Sequence, residues 1–495
     1  MVDGVRTDDA AQLSTTATRA DSRLPRVLTA AVWVLFLASV GTLGLTVARG
    51  TECTVAGVVA VDGLTALMWV VVTFFSGIVH SYSRRYMAGD RYLDQFFVRI
   101  AAFTVAVMTM TAADSVALFV TAWLAMGLLM ASLVGHDRDW AQAQAAARSA
   151  RRHFVASSGL LAVGLALLVW TTGATTISDI LAGLGTVPRP VALAALGCLV
   201  LAALVQSALV PFHGWLLSSM TAPTPASALM HAGFVNAGAV LLTRFAPLLV
   251  DEPAVMSAVV VVGAASALTG QALLLVGTDV KRKLGASTLA QMGFMILQCG
   301  LGFFAAAVVH LVLHGFYKAY LFLSSGAAVE QTAPKHAKSG RLTLPGVAVG
   351  LLTALGGGVL FAALTGKGAA LDSGLVLTAV VVLTTMHATR DVLARSSLSP
   401  AVRLLALPAV VLTAIGVYGA LFNAVSAVLA STPVSNAPVE LTAVHVAVVA
   451  LFALAYLATE LGWHRASDRL YVTLLNASQP DPDTVLTHKE DYDDA

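Results

Sequence analysis

The sequence has little charge and few cysteines. Only 11% of its 495 residues are Asp, Glu, Lys or Arg, whereas 58% are hydrophobic. Because average proteins carry about 25% charged residues, this composition excludes a soluble globular protein of this size. The three cysteines, Cys53, Cys198 and Cys299, lie far apart and lack the spacing of a metal or cluster site. We interpret them as small buried side chains.

Motifs for nucleotide and redox chemistry are absent as well. The sequence has no phosphate-binding glycine loop, no dinucleotide fingerprint and no haem or iron–sulfur spacing. We therefore predict no catalytic site and no cofactor in this chain, and no nucleic-acid partner. Any energy source must be an ion gradient or a partner protein.

What the sequence does have is long apolar runs. A bilayer-spanning helix needs about 20 apolar residues, and such runs recur from residue 25 to residue 462. They predict an all-α polytopic membrane protein in the lipid bilayer, with about 14 transmembrane helices in a domain at 25–462. The polar residues 1–24 are predicted to be a disordered cytoplasmic tail and 463–495 a cytoplasmic C-terminal tail. The runs are 26–48, 55–79, 95–112, 114–135, 153–172, 191–217, 227–250, 254–277, 284–303, 304–328, 343–365, 371–389, 402–430 and 439–462.

The placement of lysine and arginine supports this number of helices. If all these runs cross the membrane, 24 of the 29 Lys and Arg residues fall on one face. Arg49, Arg189, Arg244 and Lys367 fall on the other face, and Lys318 stays within the membrane. By the positive-inside rule the lysine- and arginine-rich face is cytoplasmic, and both termini lie there. The chain is thus predicted to be a multi-pass protein of the cell (inner) membrane.

Two of the runs contain helix-breaking residues. Pro211 removes a backbone donor from the sixth run, and the glycines 356–358, followed by Gly366, interrupt the eleventh. Transporters place binding sites at such breaks, often at matching positions of two inverted repeats. We predict two inverted five-helix repeats, at about 95–250 and 254–389, each with a broken helix.

Polar side chains flank the first break. Gln206 lies before it, and His213, His231 and Asn236 follow it. These groups either take part in ion movement or only satisfy one another in a kinked helix. Asp62, near the start of the second run, is either a buried acid or a helix cap.

A polar stripe in the tenth run is the clearest functional signal. His310, His314 and Lys318 are spaced by four residues and so lie on one side of a helix, at about 6 Å per step. An ionisable group at this depth costs about 3 kcal/mol on insertion scales and is usually functional. The stripe predicts a proton path, unless Lys318 pairs silently with a carboxylate or snorkels to the surface. The charged stretch that ends at Lys283 fits either a cytoplasmic loop or part of this path.

Several stretches resemble the proton-conducting membrane subunits of the complex I and Mrp antiporter superfamily. The resemblance is strong over residues 58–330 and weak elsewhere. It implies a proton relay made of His231, His310, His314 and Lys318. The matching stretches are Asp62-Gly63-Leu64, Pro211 to Arg244 with Pro223-Thr224-Pro225, Lys281-Arg282-Lys283-Leu284, Ser287 to Gly293, and the histidine–lysine stripe.

Within that superfamily the sequence is most similar to the membrane subunits of DAB inorganic-carbon accumulation complexes, the DabB family. The stretches 211–216, 231–238 and 471–480 carry this similarity. It implies a large zinc-binding, β-carbonic-anhydrase-like partner of the DabA type on the cytoplasmic side. The pair would take up CO2 or bicarbonate, and flow of protons or sodium through this chain would drive CO2 hydration on the partner.

The sequence departs from respiratory relatives at two positions. Leu124 stands where they carry a glutamate, and Gln206 where they carry a lysine. These departures favour a single path around Lys318 over two full channels. Two other functions stay open. One is an antiporter-like pump subunit of an NADH–quinone oxidoreductase, hydrogenase or Mrp-type complex, and the other is a non-transporting membrane anchor.

Overall fold

The computed structural model describes residues 22–50, 52–55, 57–328, 344–368, 370–393, 399, 402–433, 435–463 and 467–485. These residues form a helical membrane fold with one antiparallel hairpin of strands β1 (Cys53–Val55) and β2 (Val59–Val61). The predicted all-α polytopic fold class is confirmed. The helices are α1 Leu24–Arg49, α2 Gly63–Tyr86, α3 Leu93–Ala112, α4 Val116–Val134, α5 Ala141–Thr172, α6 Ile177–Ala182, α7 Arg189–Gln206, α8 Gly214–Ser218, α9 Thr224–Ala232, α10 Ala237–Arg244, α11 Ala246–Val250, α12 Pro253–Val276, α13 Val280–Gly300, α14 Phe304–Leu323, α15 Leu344–Thr365, α16 Gly374–Leu393, α17 Leu407–Val428, α18 Ala443–Glu460 and α19 Asp468–Ala477.

Every predicted apolar run overlaps at least one of these helices. Within the described part of the chain, 12 helical stretches are long and apolar enough to cross a membrane. α13 is not among them because one of its faces carries serine, threonine and glutamine. The predicted disordered tail at 1–24 lies outside the described residues except for its last three.

The first predicted break is present. α7 ends at Gln206, and the chain resumes helical structure only at α8, because Pro211 has no N–H to donate to a helical carbonyl. Groups from elsewhere replace the lost hydrogen bonds. The Val210 N–H donates to Ser266 Oγ at 3.1 Å, and the Trp215 indole N–H donates to the Val205 carbonyl at 3.0 Å. Irregular backbone is thus held inside the protein, where its polar groups can find partners.

The second predicted break is wrong. α15 is continuous from Leu344 to Thr365 and runs through glycines 356–358. Side chains of neighbouring helices explain two of these glycines, because a Cβ would lie 2.7 Å from Ile415 at Gly357 and 2.6 Å from Val382 at Gly358. The glycines therefore permit close packing. The repeats at 95–250 and 254–389 stay a prediction.

Small residues bring the helices around α14 into close contact. A methyl group on Gly263 or Gly270 of α12, or on Gly293 of α13, would collide with the backbone of the other helix. Gly315 of α14 likewise faces Phe75 of α2 and the backbone of α9. Close approach through small residues is the usual means of helix association in membranes. It places α14 deep among α2, α9 and α13.

Candidate functional site

Lys318 lies at the centre of this helix cluster. Its side chain is fully buried, and its ammonium group donates to the Leu284 carbonyl at 2.9 Å and to the Ser287 hydroxyl. Both partners belong to α13 and both are neutral. The described residues therefore show neither a silent ion pair with a carboxylate nor snorkelling to the surface. A lysine held by neutral groups can lose its proton without leaving a buried carboxylate unpaired.

The two histidines of the stripe continue along α14. The rings of His310 and His314 are 6.1 Å apart. His310 is held between the side-chain oxygens of Gln291, at 2.8 Å from Nε2, and Gln298, at 3.1 Å from Nδ1. An amide side chain can turn to donate or to accept, so it can serve an imidazole in either protonation state. His314 is buried, and neither ring nitrogen has a hydrogen-bond partner among the described residues.

His231 lies next to the stripe and belongs to α9, the second helix after the first break. Its Nδ1 lies 2.9 Å from Thr288 Oγ1, and its ring stacks on Phe322 with centroids 4.4 Å apart. Lys318 acts electrostatically on both His231 and His314, and His314 also feels the other two histidines. The structure thus brings together the four residues of the predicted relay, and they form one coupled electrostatic unit.

α13 supplies the polar wall of this unit. The spacing of its groups by three, four or seven places them on one face of the helix. Sequence reasoning noted part of this stretch only as a resemblance and assigned its side chains no role. The periodic spacing was the signal that could have identified the wall. The wall consists of Ser287, Thr288, Gln291, Gln298 and the carbonyl of Leu284.

Other predicted residues lie at the first break rather than in the stripe. Gln206 is fully buried, and neither atom of its amide has a partner among the described residues. The same holds for Nδ1 of His213. Asn236 donates to the carbonyl of Ala232 at 2.8 Å, one turn back on its own chain segment. None of these contacts links the break to Lys318.

Asp62 is both a helix cap and a buried acid. It accepts from the Thr65 N–H at 2.7 Å at the start of α2, and it forms an ion pair with Arg244. Burial raises its pKa, but the Arg244 charge and the Thr65 hydrogen bonds outweigh burial and keep the pKa below its usual value. The pair borders a cavity of about 330 Å³ that Glu52 and Asp114 also line. It joins α2 to α10 and makes no contact with the relay.

In the charged stretch that ends at Lys283, the lysine that packs against the protein is Lys281. Lys283 is exposed. Lys281 donates to the Ala222 carbonyl at 3.0 Å, just before α9, and acts electrostatically on His231. Lys281 is therefore the member of this cluster that lies next to the relay.

Lys367 is a second buried lysine, which the distribution of charges assigned to the non-cytoplasmic face. It follows α15, is 4% exposed, and has no hydrogen-bond partner for Nζ among the described residues. Its ammonium lies 3.2 Å from the ring centroid of Phe422 and 5.1 Å from that of Phe303. Burial lowers the pKa of Lys367 to about 7. No local pattern signals this site, because its aromatic rings come from distant parts of the chain.

The broken helix and the buried lysine–histidine stripe agree with the resemblance to antiporter-like membrane subunits. Residues 113–343 match the family described as NADH:quinone oxidoreductase/Mrp antiporter, and residues 54–97 match the N-terminal region of complex I chain 5. The chain thus contains the antiporter-like membrane domain described for complex I and Mrp subunits.

Individual relatives show which kinds of membrane subunit this chain resembles. A probable inorganic carbon transporter subunit DabB1 of Halothiobacillus neapolitanus is 36% identical over 319 residues, covering 61% of this chain and 57% of that protein. The DabB of Bacillus subtilis is 37% identical over 325 residues, covering 64% of this chain and 63% of that protein. NADH-quinone oxidoreductase subunit L of Mycobacterium tuberculosis is 37% identical over 276 residues, covering 54% and 43%. The chain thus spans less than two thirds of the length of each of these relatives.

Solved structures share the fold. The Mrp complex from Dietzia sp. DQ12-45-1b matches with a TM-score of 0.54 and 24% identity, over 92% of this chain and 52% of that one. The archaeal membrane-bound sulfane sulfur reductase matches with a TM-score of 0.58 and 14% identity, over 92% of both chains. At these identities the likeness concerns the fold alone.

Proposed function

We propose that this chain is the cation-conducting membrane subunit of a two-component inorganic-carbon uptake complex. Protons are the leading candidate for the conducted ion, with sodium as the alternative. Its partner would be a large, zinc-binding, β-carbonic-anhydrase-like subunit on the cytoplasmic face, and ion flow would energise CO2 hydration there. The names of the DabB relatives support inorganic carbon as the substrate class. The excess of lysine and arginine on one face supports a cell-membrane protein with both termini in the cytoplasm.

The observation that carries the ion-conducting role is the neutral environment of Lys318. Its hydrogen bonds go to a carbonyl and a hydroxyl, and His314 and His231 lie within electrostatic reach. A proton on Lys318 therefore repels a proton on either histidine, so that occupancy of one site favours release from the next. Movement from Lys318 through His314 to His310 follows the polar face of α14, and Gln291 and Gln298 hold the last imidazole.

Because Gln206 stands where respiratory relatives carry a lysine, we propose only one ion path through the chain. Gln206 cannot carry a charge, so the first break offers no titratable counterpart to Lys318 at that position. His231 instead contacts the second-half wall through Thr288. We therefore place the ion path in the unit built by α9, α13 and α14.

Complementation of a host that requires high CO2 tests the proposal. Wild-type chain together with its partner should restore growth in air, whereas chain with Lys318→Ala, or chain without the partner, should not. Growth in air with the alanine variant would overturn the role of Lys318. Growth without the partner would overturn the two-component scheme.

A respiratory or Mrp-type pump subunit is the second candidate. The identity with NADH-quinone oxidoreductase subunit L favours it. Purification of the chain from its native membrane separates the two candidates. A zinc protein that copurifies in constant ratio supports the first, and quinone- or cluster-binding subunits support the second.

A further inference from the structure

The chain segment after α19 returns to the first broken helix. Ser478, Pro480 and Thr484 are buried, although the segment lies in the predicted C-terminal tail. The N–H of Asp481 donates to Ser218 Oγ at 3.1 Å, and the hydroxyls of Ser218 and Thr484 share a hydrogen bond at 3.0 Å. Ser218 is the last residue of α8, the short helix that follows the break. Two hydrogen bonds thus converge on one buried hydroxyl.

Two further contacts fix the same segment on either side. Ser149 of α5 donates to the Asp481 carboxylate at 3.4 Å, and Arg282 of α13 donates to the side-chain oxygen of Gln479 at 2.7 Å. Gly214, the first residue of α8, leaves the space that the Asp481 carboxylate occupies, since any Cβ there would collide with it. The segment therefore contacts α5, α8 and α13 together.

The contact with α13 connects this segment to the relay. Arg282 lies in the first turn of α13, and Leu284 and Ser287, which hold Lys318, follow within the next two turns. α8 is a single short helix, and the irregular segment before it carries two buried side-chain atoms, Ser207 Oγ and His213 Nδ1, that have no hydrogen-bond partner among the described residues. An element of this kind needs an outside support to keep one position relative to α13.

We propose that residues 478–484 form a clamp that holds α8 against α13 and thereby fixes the first broken helix relative to Lys318, with Ser218 and Asp481 as positioning residues. The clamp does not touch the transported ion. It sets the geometry in which the break and the relay work together. The inference rests on the proposed ion-conducting function.

Neighbouring serines give a matched test. Ser218 makes both clamp hydrogen bonds, whereas Ser219, which is also buried, donates to Leu216 in its own turn and makes no other side-chain hydrogen bond among the described residues. Full-length chain carrying Ser218→Ala, Ser219→Ala or Gly214→Ala is reconstituted into liposomes for proton-flux measurement. Amide hydrogen exchange of residues 467–485 is followed in the same preparations. Gly214→Ala expels the clamp by a steric route, independently of Ser218.

Ser218→Ala and Gly214→Ala should raise exchange in 478–485 and lower maximal flux about tenfold, the effect of losing two hydrogen bonds. The proton concentration for half-maximal flux should not change, because the titrating groups are intact. Ser219→Ala should leave exchange and flux at wild-type values. The double variant Ser218→Ala/Gly214→Ala should have the same flux as Ser218→Ala alone, because both substitutions remove the same contact.

Three results would overturn the clamp. Exchange that stays at the wild-type level in both clamp variants shows that the contact does not hold the segment. Faster exchange with normal flux shows that the contact only covers the surface. An equal loss of flux in Ser219→Ala shows a general effect of the region. If the wild-type chain carries no protons, the proposed function fails and the clamp's role in it fails too, while hydrogen exchange still reports separately whether the segment is docked.

Discussion

Lys318 and Lys367 are both buried lysines, yet their surroundings differ in kind. Lys318 donates to a carbonyl and a hydroxyl of α13 and lies within electrostatic reach of two histidines. Lys367 lies against the faces of Phe422 and Phe303, without a hydrogen-bond partner for Nζ among the described residues. Lys318 therefore has histidines nearby that can accept its proton, whereas the ammonium of Lys367 is surrounded by aromatic rings.

The difference suggests two uses of a buried lysine. Hydrogen-bonded neutral groups stabilise both states of Lys318, so its proton can leave and return at little cost. Aromatic faces attract only the charged form of Lys367, by up to about 2 kcal/mol, which offsets part of the cost of removing an ammonium from water. We therefore expect Lys318 to matter for transport and Lys367 to reduce stability.

Removing the Lys318 amine should have the largest effect. Lys318→Met keeps the length and apolar stem of the side chain but has no proton to carry, so proton flux in proteoliposomes should fall to the background of empty vesicles. Lys283→Met, at an exposed lysine of the same helix cluster, should keep wild-type flux. Substantial flux in Lys318→Met would break the comparison, because Lys318 would then be as dispensable for transport as an exposed lysine.

Lys367→Met should raise thermal stability. Burial lowers the Lys367 pKa from 10.5 to about 7. Between these values the unfolded chain binds a proton that the folded chain binds only weakly, so wild-type stability rises with pH across this window. The cost of Lys367 is complete below pH 7 and disappears towards pH 10.5.

Unfolding in detergent can measure this difference. Lys367→Met should melt at least about 2 °C above wild type at pH 6, and this gain should shrink at pH 9.5. Lys318→Met should show no such gain, because it removes the hydrogen bonds that the ammonium donates to the Leu284 carbonyl and the Ser287 hydroxyl. A gain of the same size in both variants would remove the distinction between the two sites.

The sequence could predict contacts that depend on local spacing. The i, i+4 spacing placed His310, His314 and Lys318 on one face, and Pro211 marked the first break because its effect on the backbone is local. Lys367 could not be found this way, since its burial depends on Phe303 and Phe422, far away in the sequence.

The failed prediction of the second break has the same origin. Gly357 and Gly358 indicate a break only because the sequence does not show that Ile415 and Val382 fill the space beside them. Likewise Lys281 and Lys283 lie on nearly opposite sides of α13, and the sequence alone does not show which side faces Ala222.

Ser287→Ala should weaken the Lys318 site without removing it. The substitution deletes one of two hydrogen bonds to the ammonium, and a bond to a charged group is worth about 1.5–3 kcal/mol. We expect proton flux to fall about tenfold. Ser158→Ala is the matched control, because Ser158 is buried but donates only to Phe154 in its own helix. Equal flux in the two variants would mean that the polar wall of α13 does not tune Lys318.

Thr288→Val should have the smallest effect and tests how far the site extends into the first half. The substitution keeps the shape of the side chain and removes the hydroxyl that lies 2.9 Å from Nδ1 of His231. A neutral hydrogen bond of this kind contributes about 0.5–1.5 kcal/mol, so flux should fall about threefold. A threefold loss from Thr288→Val combined with unchanged flux in Ser287→Ala would move the centre of the relay from Lys318 to His231, since His231 alone would then depend on the wall of α13.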